Sequence, residues 1–255
     1  MPRLLALLGE SIVADTRIRF DIGGSGVPVA LLEGFVEERF RGRGLGTAML
    51  KWAAALVRSA PRGASTLRID LRDAPLDAVE LFTANGFALA VAEDEMACEI
   101  HDAAAAPLRP HMSLQSWSEE TAPEFFRVYS EAFRDRPGFP GWDETSWRSA
   151  FASGPGFRGD LSLLLRSGRV PVAYAVCDVA DDATGRILQM GVSPTWRSRG
   201  VAGRLIGVVL GRLQDEGLST AVLSVNANNP WARRVYERAG FRAVAQYQSY
   251  RKALD

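Results

Sequence analysis

The sequence predicts an α/β chain in which one fold is built twice in tandem. Three observations carry this. Leu31–Leu50 reads LLEGFVEERFRGRGLGTAML and Ile187–Ile206 reads ILQMGVSPTWRSRGVAGRLI; aligned without gaps, Val36 meets Val192, Arg41 meets Arg197, Arg43 meets Arg199 and Gly44 meets Gly200. Downstream, Leu81–Phe87 (LFTANGF) is answered by Val235–Phe241 (VYERAGF). The two offsets nearly agree, 156 residues from Arg41 to Arg197 and 154 from Gly86 to Gly240. Ordered self-similarity of this kind marks a repeated structural unit.

The elements follow from local pattern. In each copy a short apolar strand precedes the arginine–glycine loop and an apolar-periodic helix follows it. The second copy reads as complete. Ser118 is placed to cap a helix, with Glu119 and Glu120 in its first turn, and Phe126, Tyr129 and Phe133 recur at helical spacing. Asp135–Trp147 (DRPGFPGWDETSW) reads as a Pro/Gly-interrupted loop. Leu161–Leu165 and Val170–Val179 form a strand hairpin turning near Ser167-Gly168, and Ile187–Val192 is the next strand. Gly200–Glu216 is a helix with Val201, Leu205, Val208, Val209 and Leu213 on one face, ended by Gly217. Ala221–Val225 is a strand. Asn229 caps the next helix, Pro230 suits its first position and Gly240 its end. Phe241–Tyr250 is terminal β structure. In the first copy only the short stretch before Leu31 precedes the motif strand, so its opening helices are mostly missing. His101–Pro110 (HDAAAAPLRP) suits a linker, which places the boundary near residue 106, with domains 1–105 and 106–255.

Composition narrows the function. Hydrophobic residues make up 47% and charged residues 24%, and the formal net charge is zero, so no general nucleic-acid surface is expected. Cys98 and Cys177 are far apart, and His101 and His111 flank the linker, so neither a disulfide framework nor a metal site is expected. The apolar start, with Leu4, Leu5, Leu7 and Leu8, is shorter than the ~20 residues of a membrane span and lacks the form of a secretory signal. The cytoplasm is the expected compartment, and no membrane partner is expected.

The loop Arg197-Ser198-Arg199-Gly200-Val201-Ala202-Gly203 lies between a strand and a helix. A helix start exposes free backbone N–H groups and a partial positive charge. Glycine and alanine let a bulky anion approach the backbone, and Arg197, Arg199 and Arg204 add cations. The arrangement suits a diphosphate. Gly42, Gly44 and Gly46 are spaced by two, so the dinucleotide pattern GxGxxG is absent, and no GK[ST] follows to make a P-loop.

The pattern Arg/Gln-x-x-Gly-x-Gly/Ala, present as Arg197-x-x-Gly200-x-Ala202 and again as Arg41-x-x-Gly44-x-Gly46, resembles the acetyl-CoA pyrophosphate loop of the GNAT acetyltransferase superfamily. Asn226, Asn229 and Tyr236-Glu237-Arg238-Ala239-Gly240-Phe241 are similar to that family's second cofactor motif. The tandem layout resembles its two-domain actinobacterial members, mycothiol synthase among them. The resemblance implies two GNAT folds, each a mixed central sheet flanked by helices, and an N-acetyltransferase using acetyl-CoA. It implies a bulge in the Ile187–Val192 strand whose backbone at Met190, Gly191 and Val192 faces the pantetheine arm. Splaying of that strand from Ala221–Val225 then opens an acceptor slot. Asn226 and Asn229 help hold the cofactor, and Tyr236 donates a proton to the departing thiolate; the plain alternative is a core tyrosine beside Trp231 and Val235.

The first copy departs from the pattern. Phe82 stands at the Tyr236 position and Arg72 at the Asn226 position, so this copy is expected to be structural or regulatory. It retains a possible second CoA site at Arg41, Gly42, Arg43, Gly44, Leu45, Gly46 and Thr47. The general base stays open: the strand carboxylate of mycothiol synthase corresponds to Arg186, Gln189 cannot serve, and Asp178, Asp181 and Asp182 are candidates or else a solvated turn. In the family the loop between the first helices covers the acceptor. Here its Phe139, Trp142, Asp143 and Trp147 are candidates to hold a small cationic amine or else to pack as a lid. The expected partner is a small-molecule amine, with a peptide or protein N-terminus left open, the chain is expected to be a monomer or homodimer, and the competing reading is a CoA-binding sensor without catalysis.

Overall fold

The computed structural model describes residues 1–22, 28–60, 63–100, 107–136 and 139–254. The chain forms two compact units that are not consecutive in sequence: Met1–Glu93 with Ala245–Asp255, and Asp94–Val244. The boundary expected near residue 106, and residues 101–106 of the expected linker, lie outside the described residues. Within the described residues each unit takes its closing strand segment from a different part of the sequence than a single cut supplies.

The first unit opens with β1 (Arg3–Leu8), β2 (Ser11–Ile22) and β3 (Pro28–Val36). The apolar opening residues are therefore an edge strand, with Ala6 opposite Ala14 and Ala14 opposite Val36. Among the described residues no helix precedes β3, in keeping with the short front of this copy. A 3-10 turn at Glu38–Phe40 leads into α1 (Leu45–Ser59), then β4 (Thr66–Arg72), parallel to β3, and α2 (Leu76–Ala84). β5 (Ala88–Glu99) follows and enters the second unit from Asp94.

The second unit continues with β6 (Met112–Ser116), α3 (Ala122–Phe133), α4 (Glu144–Phe151), β7 (Leu163–Ser167), β8 (Val170–Asp181) and β9 (Thr184–Val192). A 3-10 turn at Pro194–Trp196, α5 (Val201–Asp215), β10 (Thr220–Asn226) and α6 (Pro230–Arg238) complete it. β11 (Arg242–Ala253) returns to the first unit from Ala245, where Tyr247–Ala253 pair antiparallel with β4. Tyr250 and Leu254 fill that unit's core beside Phe82 and Leu67.

Within the second unit β10 and β9 are parallel, and β9, β8, β7 and β6 follow antiparallel. Successive strand residues face opposite sides, and two cores result. Leu163, Leu165, Ala173 and Ala175 meet α5 and α6 through Leu205, Val209 and Tyr236. Leu164, Tyr174 and Val176 meet α3 and α4 through Phe125, Tyr129 and Trp147.

Two helix starts differ from expectation. α3 begins at Ala122 rather than beside Ser118, because the Ser118 and Thr121 hydroxyls accept each other's backbone N–H and close a separate turn first. The segment read as a loop to Trp147 becomes helical at Glu144, because the Asp143 carboxylate accepts the Ser146 N–H at 2.7 Å and caps α4.

Candidate active site

The internal repeat extends to detail. Gly44 and Gly200 precede α1 and α5 with φ of 83° and 73°, a left-handed conformation open to glycine. Arg41 Nε donates to the Val36 carbonyl at 3.3 Å and Arg197 Nε to the Val192 carbonyl at 3.4 Å. The Arg43 guanidinium lies over Phe40 at 5.2 Å and that of Arg199 over Trp196 at 5.3 Å. Each loop is thus fastened to the end of its strand by its first arginine.

These bonds assign the arginines unevenly. Arg197 also donates to the Ala132 carbonyl at 2.8 Å, so its side chain ties the loop to α3. Arg204 reaches the Gly200 carbonyl, and its buried Nε has no partner. With glycine as the cap residue, no side-chain hydrogen bond caps the amino terminus of α5 among the described residues. A Cβ added at Gly203 would meet nothing within 4 Å, so protein packing does not demand this glycine. Ser198 holds a positive φ of 58° in the same turn. In the first unit a Cβ at Gly46 would come within 2.7 Å of Leu81 Cδ2, so that glycine serves the contact of α1 with α2. Arg41 there pairs with Asp77.

β9 carries the expected bulge. Val176 opposes Gln189 while Cys177 opposes Ile187, so Leu188 is the extra residue. Pairing with β10 also ends at Ile187, opposite Leu223. Beyond that point β9 and β10 part, and the backbone of Gln189–Val192 is released on that side. Gly191 lets α3 approach here, since a Cβ would fall within 2.7 Å of the Tyr174 ring and 3.0 Å of Ala132 Cβ.

Tyr236 is 7% exposed and stands edge-on to Phe241 at 6.1 Å. Burial pushes its hydroxyl up to about 12. Its ring lies in the same core cluster as Ile187 and Leu223, the β9 and β10 residues at which pairing of the two strands ends. Asn226 and Asn229 both use their side-chain oxygens locally. Asn226 Oδ1 accepts the Asn228 N–H, and Asn229 Oδ1 accepts the Ala232 N–H at 3.1 Å, capping α6.

The acidic base candidates sit elsewhere. Asp178 is buried and forks onto Arg186, and Asp181 accepts the Ala183 N–H at the β8–β9 turn. Both lie toward the hairpin end of β9, on the far side of the bulge from Met190. The aromatic residues of the expected lid are joined rather than loose. Phe139 packs on Tyr129, Trp142 on Phe151, and Trp147 is fully buried at the centre of the cluster.

One arrangement was not anticipated. Trp147 Nε1 donates to Gln189 Oε1 at 2.7 Å, and the Tyr174 hydroxyl donates to the same oxygen at 2.5 Å. The available signal was a lone amide in the otherwise apolar strand ILQMGV, opposite a tyrosine-bearing strand. A cavity of about 630 Å³ beside α3, lined in part by Arg127, Glu131, Ser193 and Trp196, includes neither Gln189 nor Tyr236.

A split parallel strand pair, a bulge at the split and an uncapped helix start just beyond it define the acyl-CoA-dependent acetyltransferase architecture. The model of the acetyltransferase (GNAT) family matches residues 114–241, half of the chain, and the chain belongs to that family. It is 29% identical over 132 residues to the mycothiol acetyltransferase of Corynebacterium diphtheriae, covering 50% of this chain and 44% of that protein. The chain thus spans less than half the length of that relative. The crystal structure of a GCN5-related N-acetyltransferase from Sphaerobacter thermophilus superposes with a TM-score of 0.76 at 23% identity, covering 95% of this chain and 77% of that one. A tandem GNAT protein from the clavulanic acid biosynthesis pathway superposes with a TM-score of 0.68 at 17% identity, covering 99% and 82%. The fold is a tandem GNAT fold.

Proposed function

We propose that the second unit transfers an acetyl group from acetyl-CoA to the primary amine of a small molecule by direct attack. The observation that supports it most is the coincidence at one point of β9: pairing with β10 stops at Ile187, Leu188 bulges, and Tyr236 of α6 packs in the core that holds Ile187.

The residues present fit acetyl-CoA. The uncapped N–H groups at the start of α5, with Arg199 and Arg204 beside them, hold the diphosphate. The backbone of Met190, Gly191 and Val192 flanks the pantetheine arm. Asn229 keeps its Nδ2 as a donor while its Oδ1 caps α6. Acetyl-CoA supplies the activated acyl group. Backbone N–H groups at the bulge stabilise the developing oxyanion. The amine nitrogen forms the new N–C bond, the C–S bond breaks with its electron pair on sulfur, and Tyr236 donates its phenolic proton to that sulfur. The surplus proton of the amine leaves to water and restores Tyr236. Burial keeps Tyr236 protonated at neutral pH, and the same desolvation raises the proton affinity of a thiolate formed beside it.

Phe139 and Trp142 flank the acceptor on the α3–α4 side. Asp143 serves as a helix cap and Trp147 as core, so we do not assign either to contact with the acceptor. The first unit, with Phe82 in place of a proton donor, is structural or binds acetyl-CoA without turnover. The test is free-thiol release from acetyl-CoA across a panel of small amines, with Tyr236→Phe alongside. Release that needs an amine and is lost in the variant supports the enzyme. Tight acetyl-CoA binding with no transfer to any amine favours a CoA sensor instead.

A further inference from the structure

Trp147 fixes the orientation of the Gln189 amide. An indole N–H can only donate, so the Gln189 atom 2.7 Å from it must be the oxygen. The Tyr174 hydroxyl, 2.5 Å from the same oxygen, must therefore donate as well. Both donors are fully buried and held in the aromatic cluster of α3, α4 and β8. Trp147 packs against Tyr129 at 5.4 Å and edge-on to Tyr174 at 6.0 Å, so neither ring has room to turn.

The consequence falls on the other end of the amide. With Oε1 saturated by two donors, Nε2 presents two N–H groups and no acceptor. Among the described residues Nε2 donates to no protein atom, and it is not among the polar atoms sealed from solvent. Gln189 is the first residue after the bulge, at the point where β9 leaves β10. A preorganised donor at that point is free to pair with an oxygen of a bound molecule in place of water.

The surrounding charges agree with an oxygen on the acceptor. The Arg136 guanidinium lies over the Phe133 ring at 5.9 Å, so a cation stands beside the aromatic cluster that holds Trp147 and Tyr174. The Asp143 carboxylate of the expected lid is turned to the Ser146 N–H.

We propose that Gln189 is a specificity-determining residue whose Nε2 selects acceptors carrying a carbonyl or carboxylate oxygen next to the reacting amine, that is, α-aminoacyl compounds. The assignment rests on the acetyl-transfer reading of this slot. Trp147 and Tyr174 act through Gln189 as positioning residues.

The test uses the full chain with L-alaninamide, L-alanine and ethylamine, which present a carbonyl, a carboxylate and neither. Rates are compared at equal free-amine concentration. In the unaltered protein kcat/KM favours one or both aminoacyl compounds over ethylamine. Gln189→Glu keeps an oxygen for Trp147 and Tyr174 but removes the donor. It is expected to cut the kcat/KM preference for the favoured aminoacyl compound over ethylamine by roughly tenfold or more, chiefly through KM. Gln189→Leu, read alongside a thermal melt, controls for the added charge. Preference for L-alaninamide points to a neutral or peptide-like acceptor, and preference for L-alanine to a free amino acid. An equal loss on all three amines in both variants, or an undiminished preference in Gln189→Glu, overturns the assignment. If no amine is acetylated, the acetyl-transfer reading fails on its own. Calorimetric binding of L-alaninamide and L-alanine in the presence of CoA then decides: binding lost in Gln189→Glu upholds the Gln189 assignment, and no binding or unaltered binding ends it.

Discussion

The Tyr236 ring stands edge-on to Phe241, with 6.1 Å between centroids. Phe82 and Phe87 hold the matching places in the first unit at 6.0 Å. The same turn closes each helix: Phe241 N–H reaches the Tyr236 carbonyl at 3.1 Å, and Phe87 N–H reaches that of Phe82 at 3.0 Å. One packing unit is therefore built with a phenol in one copy and a plain phenyl ring in the other. The ring packs alike in both copies, and at this position the second copy differs by its hydroxyl.

That relationship makes Tyr236→Phe a clean test. The ring contacts survive and only a hydroxyl with no hydrogen bond among the described residues is lost, so the melting temperature is expected to hold. Turnover is expected to fall by about a hundredfold or more, while calorimetric acetyl-CoA binding is retained. Unchanged turnover would remove Tyr236 from the chemistry.

The pH profile follows from burial. The hydroxyl is raised from the ordinary 10.0 to about 12, so Tyr236 stays protonated through the whole usable range. kcat/KM is expected to rise with pH as the acceptor amine deprotonates and then to level, with no falling limb from Tyr236 below about pH 10. Stability shows the same group with its own sign. A raised folded-state value contributes fully below the unfolded value of 10.0, and the contribution is lost as pH climbs toward 12. A turnover limb falling near pH 9 would show a hydroxyl that is not desolvated.

Gly203 separates stability from binding. It is exposed in the first turn of α5, and a Cβ there meets no atom within 4 Å. Gly203→Ala is expected to stabilise the free protein by roughly 0.5–1 kcal/mol, the ordinary gain of alanine over glycine in a helix. The same methyl group crowds the diphosphate, so the acetyl-CoA Kd rises. Gly200→Ala, at φ of 73°, lowers both stability and affinity. A Gly203→Ala protein with unaltered affinity would place the diphosphate elsewhere.

Asn229 has two roles that substitution can part. Asn229→Ala removes the α6 cap and is expected to cost about 1 kcal/mol of stability. Asn229→Asp keeps the cap oxygen but loses the Nδ2 donor and adds a negative charge near the cofactor. It should melt close to the parent protein yet bind acetyl-CoA more weakly. Equal affinity in Asn229→Asp would limit this residue to capping.

Trp147→Phe tests the positioning of Gln189. Phenylalanine fills part of the indole's volume but donates nothing, so the amide is released to turn. Discrimination between L-alaninamide and ethylamine is expected to narrow while acetyl-CoA binding persists. A melt reports the packing cost separately, and full discrimination at intact stability would show that Tyr174 alone suffices.

Much of this protein is legible in its sequence because the signals are local. The two loops announce themselves by arginine and glycine spacing, and the helix after each follows from apolar periodicity and from backbone N–H groups that need an anion or a cap. The bulge of β9 and its parting from β10 were implied by motif resemblance and appear in the structure at Leu188 and Ile187, and the tyrosine of α6 is buried at Tyr236. Ser118 and Asp143 show the limit of local reading. Side chains able to cap are equally able to close a turn or to start a helix where a loop is expected, and distant packing chooses between them. Tertiary structure alone decided that β11 completes the sheet of the first unit through Tyr247–Ala253 and β4, because strand pairing joins residues with no sequence relation. It also decided that Gln189 is a donor rather than an idle amide. That role exists only because Trp147, forty-two positions away, and Tyr174 converge on one oxygen, and convergence of three separate elements on a point is a property that no spacing along the chain can express.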